Sequence, residues 1–227
     1  MKKLLLILLA CIAVVFTACN TANDPQNDSQ SDVNAENQDI TGESTHVPTL
    51  LPSKFADYLT SVVTAELPDN AVYYLEKAVT VDGVTTSIIK AVKNGTVLSI
   101  TETAGIKNVS IVSRDTATTL DVASQTYSQT TCDEAAYNAV MSNVECASKY
   151  YDIEFTPSAY TVVDKDQYAE VAMIDGTPHI FIFDDNYALK YIVYAREDGV
   201  LITEEIFAFT AEVDDELFAI PESYTAV

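Results

Sequence analysis

The sequence predicts a mainly β domain of the α+β class, made of antiparallel hairpins with two helices, and three observations predict it. Four of the five glycines beyond residue 48 directly follow Asp or Asn, at Asp82-Gly83, Asn94-Gly95, Asp175-Gly176 and Asp198-Gly199. Such dipeptides suit the positive φ angles of tight hairpin turns. The segments between them are rich in Val, Ile, Tyr, Phe and Thr, residues that fit a pleated, half-buried surface. Two short stretches instead repeat apolar residues at helical spacing behind a capping residue.

The chain opens with Lys2 and Lys3, an apolar run from Leu4 to Phe16, and the small residues Thr17 and Ala18 before Cys19. This is the layout of an export signal, and thirteen apolar residues fall short of the about 20 that a membrane-spanning helix needs. Residues 1–18 are therefore expected to be a signal peptide, with Cys11 lost when it is removed. The Phe16-Thr17-Ala18-Cys19 ending resembles the lipobox of bacterial lipoproteins. That resemblance implies lipidation of Cys19 by a diacylglycerol and an anchored position on the extracytoplasmic face of a bacterial membrane; two acyl chains suffice for stable anchoring.

From Asn20 to Val47 the chain is polar, with six acidic residues and no aromatic, Lys or Arg. Such a segment buries too little apolar surface to offset its ordering entropy. Residues 19–47 are expected to be a disordered acidic tether reaching roughly 30 Å as a coil. Residues 48–227 suit one domain with a sizeable core.

Within that domain Ser53 is placed to cap a helix in which Phe55, Tyr58, Leu59, Val62 and Val63 recur at helical spacing, ended by Pro68. Strands are expected near Val72–Val81, Val84–Lys93, Thr96–Thr103, Gln167–Ile174, Thr177–Phe183, Ala188–Glu197 and Val200–Val213, with others over Val109–Arg114, Thr118–Ser124 and Tyr160–Val163. Thr131 and Glu134 have capping-box spacing, and Tyr137, Val140, Met141 and Val144 extend an apolar stripe, which predicts a second helix over Asp133–Ser142. Several strands are apolar on both faces. His179, Phe181 and Phe183 alternate with Ile180 and Ile182, and Leu189, Tyr191 and Val193 alternate with Ile192 and Tyr194. Both faces of the sheet must then be covered, one by helices and the other by a second sheet or by curvature around a cavity.

The order of tether, helix, hairpin block, helical insertion and second hairpin block resembles the lipoprotein-carrier superfamily, which includes the outer-membrane lipoprotein localisation factors. The closing stretch carries most of the likeness: Ile202 to Phe209, then Asp214, Leu217, Phe218, Ile220, Pro221 and Tyr224. The resemblance implies a curved, unclosed antiparallel half-barrel sheet with two helices on its concave side, around a cavity for acyl chains. Phe181, Phe183, Tyr191, Ile192, Tyr194, Phe207 and Phe209 are the candidates to line such a cavity.

The net charge of −22 becomes −24 once Lys2 and Lys3 are removed, so the surface repels phosphate backbones and anionic headgroups. No nucleic-acid partner is expected. His179 is the domain's one histidine and stands without a Gly-x-Ser-x-Gly elbow or a His-Glu-x-x-His motif. The acidic clusters Asp184-Asp185-Asn186 and Asp214-Asp215-Glu216 lack the spacing of a calcium loop and read as solvated turns. No catalytic residue, metal or cofactor is expected. Cys132 and Cys146 are candidates for a disulfide. Fourteen helical steps of ~1.5 Å would part their Cα atoms by about 21 Å, beyond disulfide reach, so the bond requires a bend at Ser142-Asn143. The expectation is an anchored binder of lipid or acyl chains, for carriage or sensing. The alternative is a protein-interaction or regulatory module of the cell envelope with a filled core.

Overall fold

The structure is a computed structural model that describes residues 53–227 apart from 64, 163 and 164. The expected signal peptide, Cys19 and the tether lie outside the described residues. One sheet of twelve strands dominates. In chain order these are β1 (Tyr73–Val81), β2 (Val84–Lys93), β3 (Thr96–Thr103), β4 (Ile106–Val112), β5 (Thr116–Asp121), β6 (Thr126–Thr131), β7 (Phe155–Val162), β8 (Lys165–Ile174), β9 (Thr177–Phe183), β10 (Leu189–Ala195), β11 (Leu201–Thr210) and β12 (Thr225–Ala226). Helix α1 (Lys54–Val62) precedes them, and α2 (Glu134–Met141) sits between β6 and β7.

The spatial order is β12-β6-β5-β4-β3-β2-β1-β11-β10-β9-β8-β7. Two hairpin meanders, β1 to β6 and β7 to β11, are thus joined where β1 pairs antiparallel with β11, and the sheet remains unclosed, with β7 and β12 at its edges. The expected mainly β, open antiparallel sheet with two helices is what the chain forms, except that β12 runs parallel to β6. Hairpin turns at Asp82-Gly83, Asn94-Gly95 and Asp175-Gly176 place both residues at positive φ, whereas at Asp198-Gly199 only the glycine takes that geometry. Strand β6, β12 and the start of β7 were not expected: Thr126–Thr131 is a Thr-rich, largely exposed run without apolar alternation.

The first helix ends at Val62, not at Pro68. Three consecutive β-branched residues, Val62, Val63 and Thr64, oppose helix continuation, and Val63 is already extended at φ −127°; Pro68 instead opens a 3-10 turn. The cap of α2 is Asp133, whose Oδ1 accepts from the Ala136 amide at 2.7 Å. Thr131 is engaged in β6, opposite Thr116.

Directly paired residues on neighbouring strands share a face, so the registers assign both faces of the sheet. One face carries Tyr73, Leu75, Val92, Val97, Ala172, Phe181, Phe183, Leu189 and Ile206, and these pack in one cluster with Phe55, Leu59 and Val62 of α1 and Tyr137 and Met141 of α2. On the opposite face, Ala91, Leu98, Val109, Ile111 and Leu120 are packed by Val213, Leu217, Phe218 and Tyr224. The C-terminal segment therefore crosses behind the first meander before pairing as β12. Behind the first meander, where a second sheet was one expected cover, a length of irregular chain covers part of the far face among the described residues. A smaller cluster of Ala169, Ile182 and Val193 lies behind the second meander.

The β2–β3 turn is fastened to α2, because the Tyr137 hydroxyl donates to the Gly95 carbonyl at 3.0 Å. A Cβ on Gly95, already at φ +69°, would meet the Tyr137 Oη at 2.9 Å. Gly95→Ala should cost about 2 kcal/mol in urea unfolding, and about 1 kcal/mol in a Tyr137→Phe background that removes the clashing atom. An equal cost in both backgrounds would place the whole penalty in the backbone.

Candidate functional site

Helix α1 is held over the sheet by a carboxylate. Glu170, on β8, is fully buried. Its Oε2 accepts from the Ser53 hydroxyl at 2.7 Å and the Phe55 amide at 3.0 Å, and its Oε1 from the Lys54 amide at 2.7 Å and the Tyr168 hydroxyl at 2.8 Å. The Ser53 Oγ then accepts from the Ala56 amide at 3.1 Å, and the Ser53 carbonyl accepts the first helical bond, from the Asp57 amide at 3.0 Å. The Lys54, Phe55 and Ala56 amides, which a helix leaves unpaired at its start, are all satisfied in this way. A negative charge at that end is also favoured by the helix dipole.

From this fixed end, Phe55 reaches down between Phe155 and Phe181, with ring centroids 5.1 and 4.4 Å away, while Tyr150 meets it edge-on at 4.9 Å. Beside this aromatic knot, between helix and sheet, lies an open cleft of about 620 Å³. Its walls are Phe55 and Leu59 of α1, Tyr150 and Ile153 of the following segment, and Leu75, Ile174, Phe181, Leu189, Ile192, Ile206 and Phe209 of the sheet. A second cavity of about 680 Å³ lies against β4 to β6 and Val227. It is bordered by exposed polar hairpin residues such as Lys107, Asn108, Asp121 and Ser128 together with Ile106, Leu120, Val122, Tyr127 and Val227.

Polar groups are gathered on one part of the first cleft. Lys77 lies 2.6 Å from the Glu204 Oε2, and the Tyr194 hydroxyl donates to the Glu204 Oε1 at 3.1 Å. Burial, reinforced by the Glu204 charge, pushes the Tyr194 phenol up to about 12. His179 stacks on Tyr194 at 4.4 Å, with its Nδ1 3.0 Å from the Thr177 carbonyl oxygen. The Tyr150 hydroxyl donates to Glu145 at 2.8 Å, and the Tyr73 hydroxyl accepts from the Glu145 amide at 3.0 Å. Burial raises both of these phenols.

Of the seven residues expected to line a cavity, Phe181, Ile192, Tyr194 and Phe209 meet in this cleft. Phe183 is on the same face but is wholly buried beside Tyr168. Tyr191 belongs to the opposite face, and Phe207 is 53% exposed. Alternation along β10 already sets Tyr191 on the face opposite Ile192 and Tyr194, and two β-bulges shift other residues. One lies between Leu189 and Tyr191 and brings Leu189 onto the face of Ile192 and Tyr194. The other leaves Phe207 unpaired opposite the Glu76–Lys77 step and brings Ile206 and Phe209 onto one face. An extra residue shifts the side-chain alternation by one, which strict counting along the sequence does not register.

Sequence reasoning passed over Lys77, Glu170 and Glu204. The available signal was a charged residue set inside an otherwise apolar strand face. Cys132 and Cys146 are both buried and unbonded, so the candidate disulfide is not formed. The chain does turn at Ser142-Asn143 after α2, but Cys132 faces the main core cluster while the Cys146 sulfur lies 3.4 Å from the Ser148 hydroxyl. Asp184 and Asp214 serve as turn caps, accepting from the amides of Asn186 and Glu216 respectively.

Four phenols at or beside the cleft, Tyr73, Tyr150, Tyr168 and Tyr194, are raised above the ordinary value of 10.0, in each case first by burial. Below that value folded and unfolded chains both keep these protons. Above it the unfolded chain loses them first, so the folded state binds more protons and stability falls as pH rises. The fold should hold to about pH 10 and lose stability towards about 12, read as a falling urea midpoint by near-UV dichroism. A urea midpoint that does not fall between about pH 10 and 12 would contradict this.

No known family's sequence pattern and no curated relative matches the chain. Among solved structures, one described as an uncharacterized conserved protein from Thermus thermophilus is similar at 10% identity and a TM-score of 0.42, over 77% of this chain and 99% of its own. PNGF-II, in C2 and P21 crystal forms, is similar at 10% and 8% identity with TM-scores of 0.28 and 0.30, over 69% of this chain. The matched region spans 31% of PNGF-II. Likeness at this level carries no functional meaning.

Proposed function

We propose that this chain is a lipid-anchored extracytoplasmic bacterial lipoprotein that binds an apolar acyl chain under α1, for carriage or sensing rather than turnover. The observation that carries the reading is the cleft. Between helix and sheet lies an open cleft of about 620 Å³, lined by Leu, Ile and Phe side chains together with Lys77, Glu145, His179 and Glu204. That volume lies within the range of small-molecule sites, which are mostly apolar with a few placed polar groups. Each methylene buried there contributes about 0.8 kcal/mol, so a long chain supplies ample binding energy without catalytic machinery.

The export signal, the Cys19 lipobox and the acidic tether support the anchored location. In this reading the sheet bends around the helix face as a half-barrel, as in the lipoprotein-carrier superfamily that the order of elements resembles, and both helices lie on its concave side. The acidic surface repels anionic headgroups, so lipid contact is confined to the acyl chain inside the cleft.

Leu59 and Ile192 face the cleft from opposite walls. Tryptophan at either position should occupy the space of about four methylenes and weaken a fluorescent long-chain probe by roughly two orders of magnitude, with the far-UV spectrum unchanged. A wild-type chain that takes up no such probe, or variants that bind it as well as wild type, would refute the reading.

A further inference from the structure

We propose that the cleft selects a single-chain amphiphile with a carboxylate head, and that Lys77 receives that head; the inference rests on the acyl-binding reading above and specifies its ligand. Lys77 and Glu204 are 20% and 12% exposed at the side chain and 2.6 Å apart. Lys77 pairs across the sheet with Ile206 and Ile88, so its stem lies in an oily wall. Removing an ion pair from water costs several kcal/mol per ion, so this pair is a poor way to stabilise the fold.

The spare bonding capacity lies on the cation. Glu204 has both oxygens engaged, one by Lys77 and one by the Tyr194 hydroxyl. An ammonium has three N–H donors, and among the described residues Glu204 is the partner of Lys77. Two donors are left for an acceptor in the cleft.

The surrounding charge favours an anion as well. Lys77 and Lys149 interact electrostatically with Lys90, as do Glu145 and Glu204. Lys90 donates to the Asn143 carbonyl at 2.9 Å, and the exposed Lys149 lines the cleft. Three lysines thus face two glutamates, in a chain whose net charge is −22. Of the other acids here, Glu145 already accepts from Tyr150, and Asp175 sits on an exposed hairpin tip. A cationic head would meet the lysines, with Glu204 already engaged through both oxygens and Glu145 through Oε2.

The test uses the full chain carrying Cys19→Ser, so that no acyl group of its own competes, stripped of lipid and titrated with hexadecanoate, hexadecanol and hexadecylamine. Hexadecanoate should bind at least tenfold more tightly than hexadecanol, and hexadecylamine more weakly than either. Lys77→Met should erase the preference for carboxylate over alcohol while leaving hexadecanol within about twofold. Because that variant strands the Glu204 charge, Lys77→Met with Glu204→Gln provides a neutral version expected to show the same loss. Glu204→Gln alone, which frees the ammonium, should tighten hexadecanoate severalfold. Equal binding of carboxylate and alcohol, or tighter binding of the amine, overturns this inference and leaves the acyl-binding reading standing. Failure of all three to bind removes both.

Discussion

A buried carboxylate at the start of one short helix decides the geometry of the rest. Glu170 has no solvent exposure, and an ionised group in that position is tolerated only when its lone pairs are filled. The filling donors are the Ser53 hydroxyl, the Lys54 and Phe55 amides and the Tyr168 hydroxyl. Because two of them are backbone groups of α1, satisfying the charge and placing the helix are one event. A nine-residue helix is too short to be stable on its own, so its position over β8 and β9 depends on this anchor and on the Phe55, Phe155 and Phe181 contact.

The cleft follows from where that anchor sits. It fixes the N-terminal end of α1 at the second meander, and Leu59 of the helix lines the cleft together with residues of β10, β11 and β1. The two bulges then turn Leu189, Ile206 and Phe209 towards the helix, so the wall is apolar at positions where unbroken strands would present other side chains. Lys77 and Glu204 sit on the same wall next to the second bulge, which couples the polar spot of the cleft to the place where the two meanders are sewn together.

The hairpins were the readily legible part of the sequence. Asp-Gly and Asn-Gly turns and β-branched runs act locally, and β2, β3 and β9 begin and end where those signals place them. Strand β6 was not legible, since its Thr and Gln residues owe their pairing to β5 and not to an apolar face. The site was half legible. Phe181, Ile192, Tyr194 and Phe209 share the cleft, Tyr191 lies on the opposite face as its alternation with Ile192 dictates, and Phe207 is displaced by a bulge that alternation does not register. Glu170 and Ser53 lie 117 positions apart, and no local pattern announces a bond of that range.

The account is tested most directly at the anchor itself, by amide hydrogen exchange on wild type and on Glu170→Leu, read together with uptake of a long-chain fatty-acid probe. Loss of the carboxylate should abolish protection across α1 and with it the uptake of the probe, while the amides of β1, β2, β3 and β11 stay protected. Protection of α1 at the wild-type level, or undiminished uptake once α1 has lost its protection, would contradict the claim that this one buried charge holds the cleft in shape.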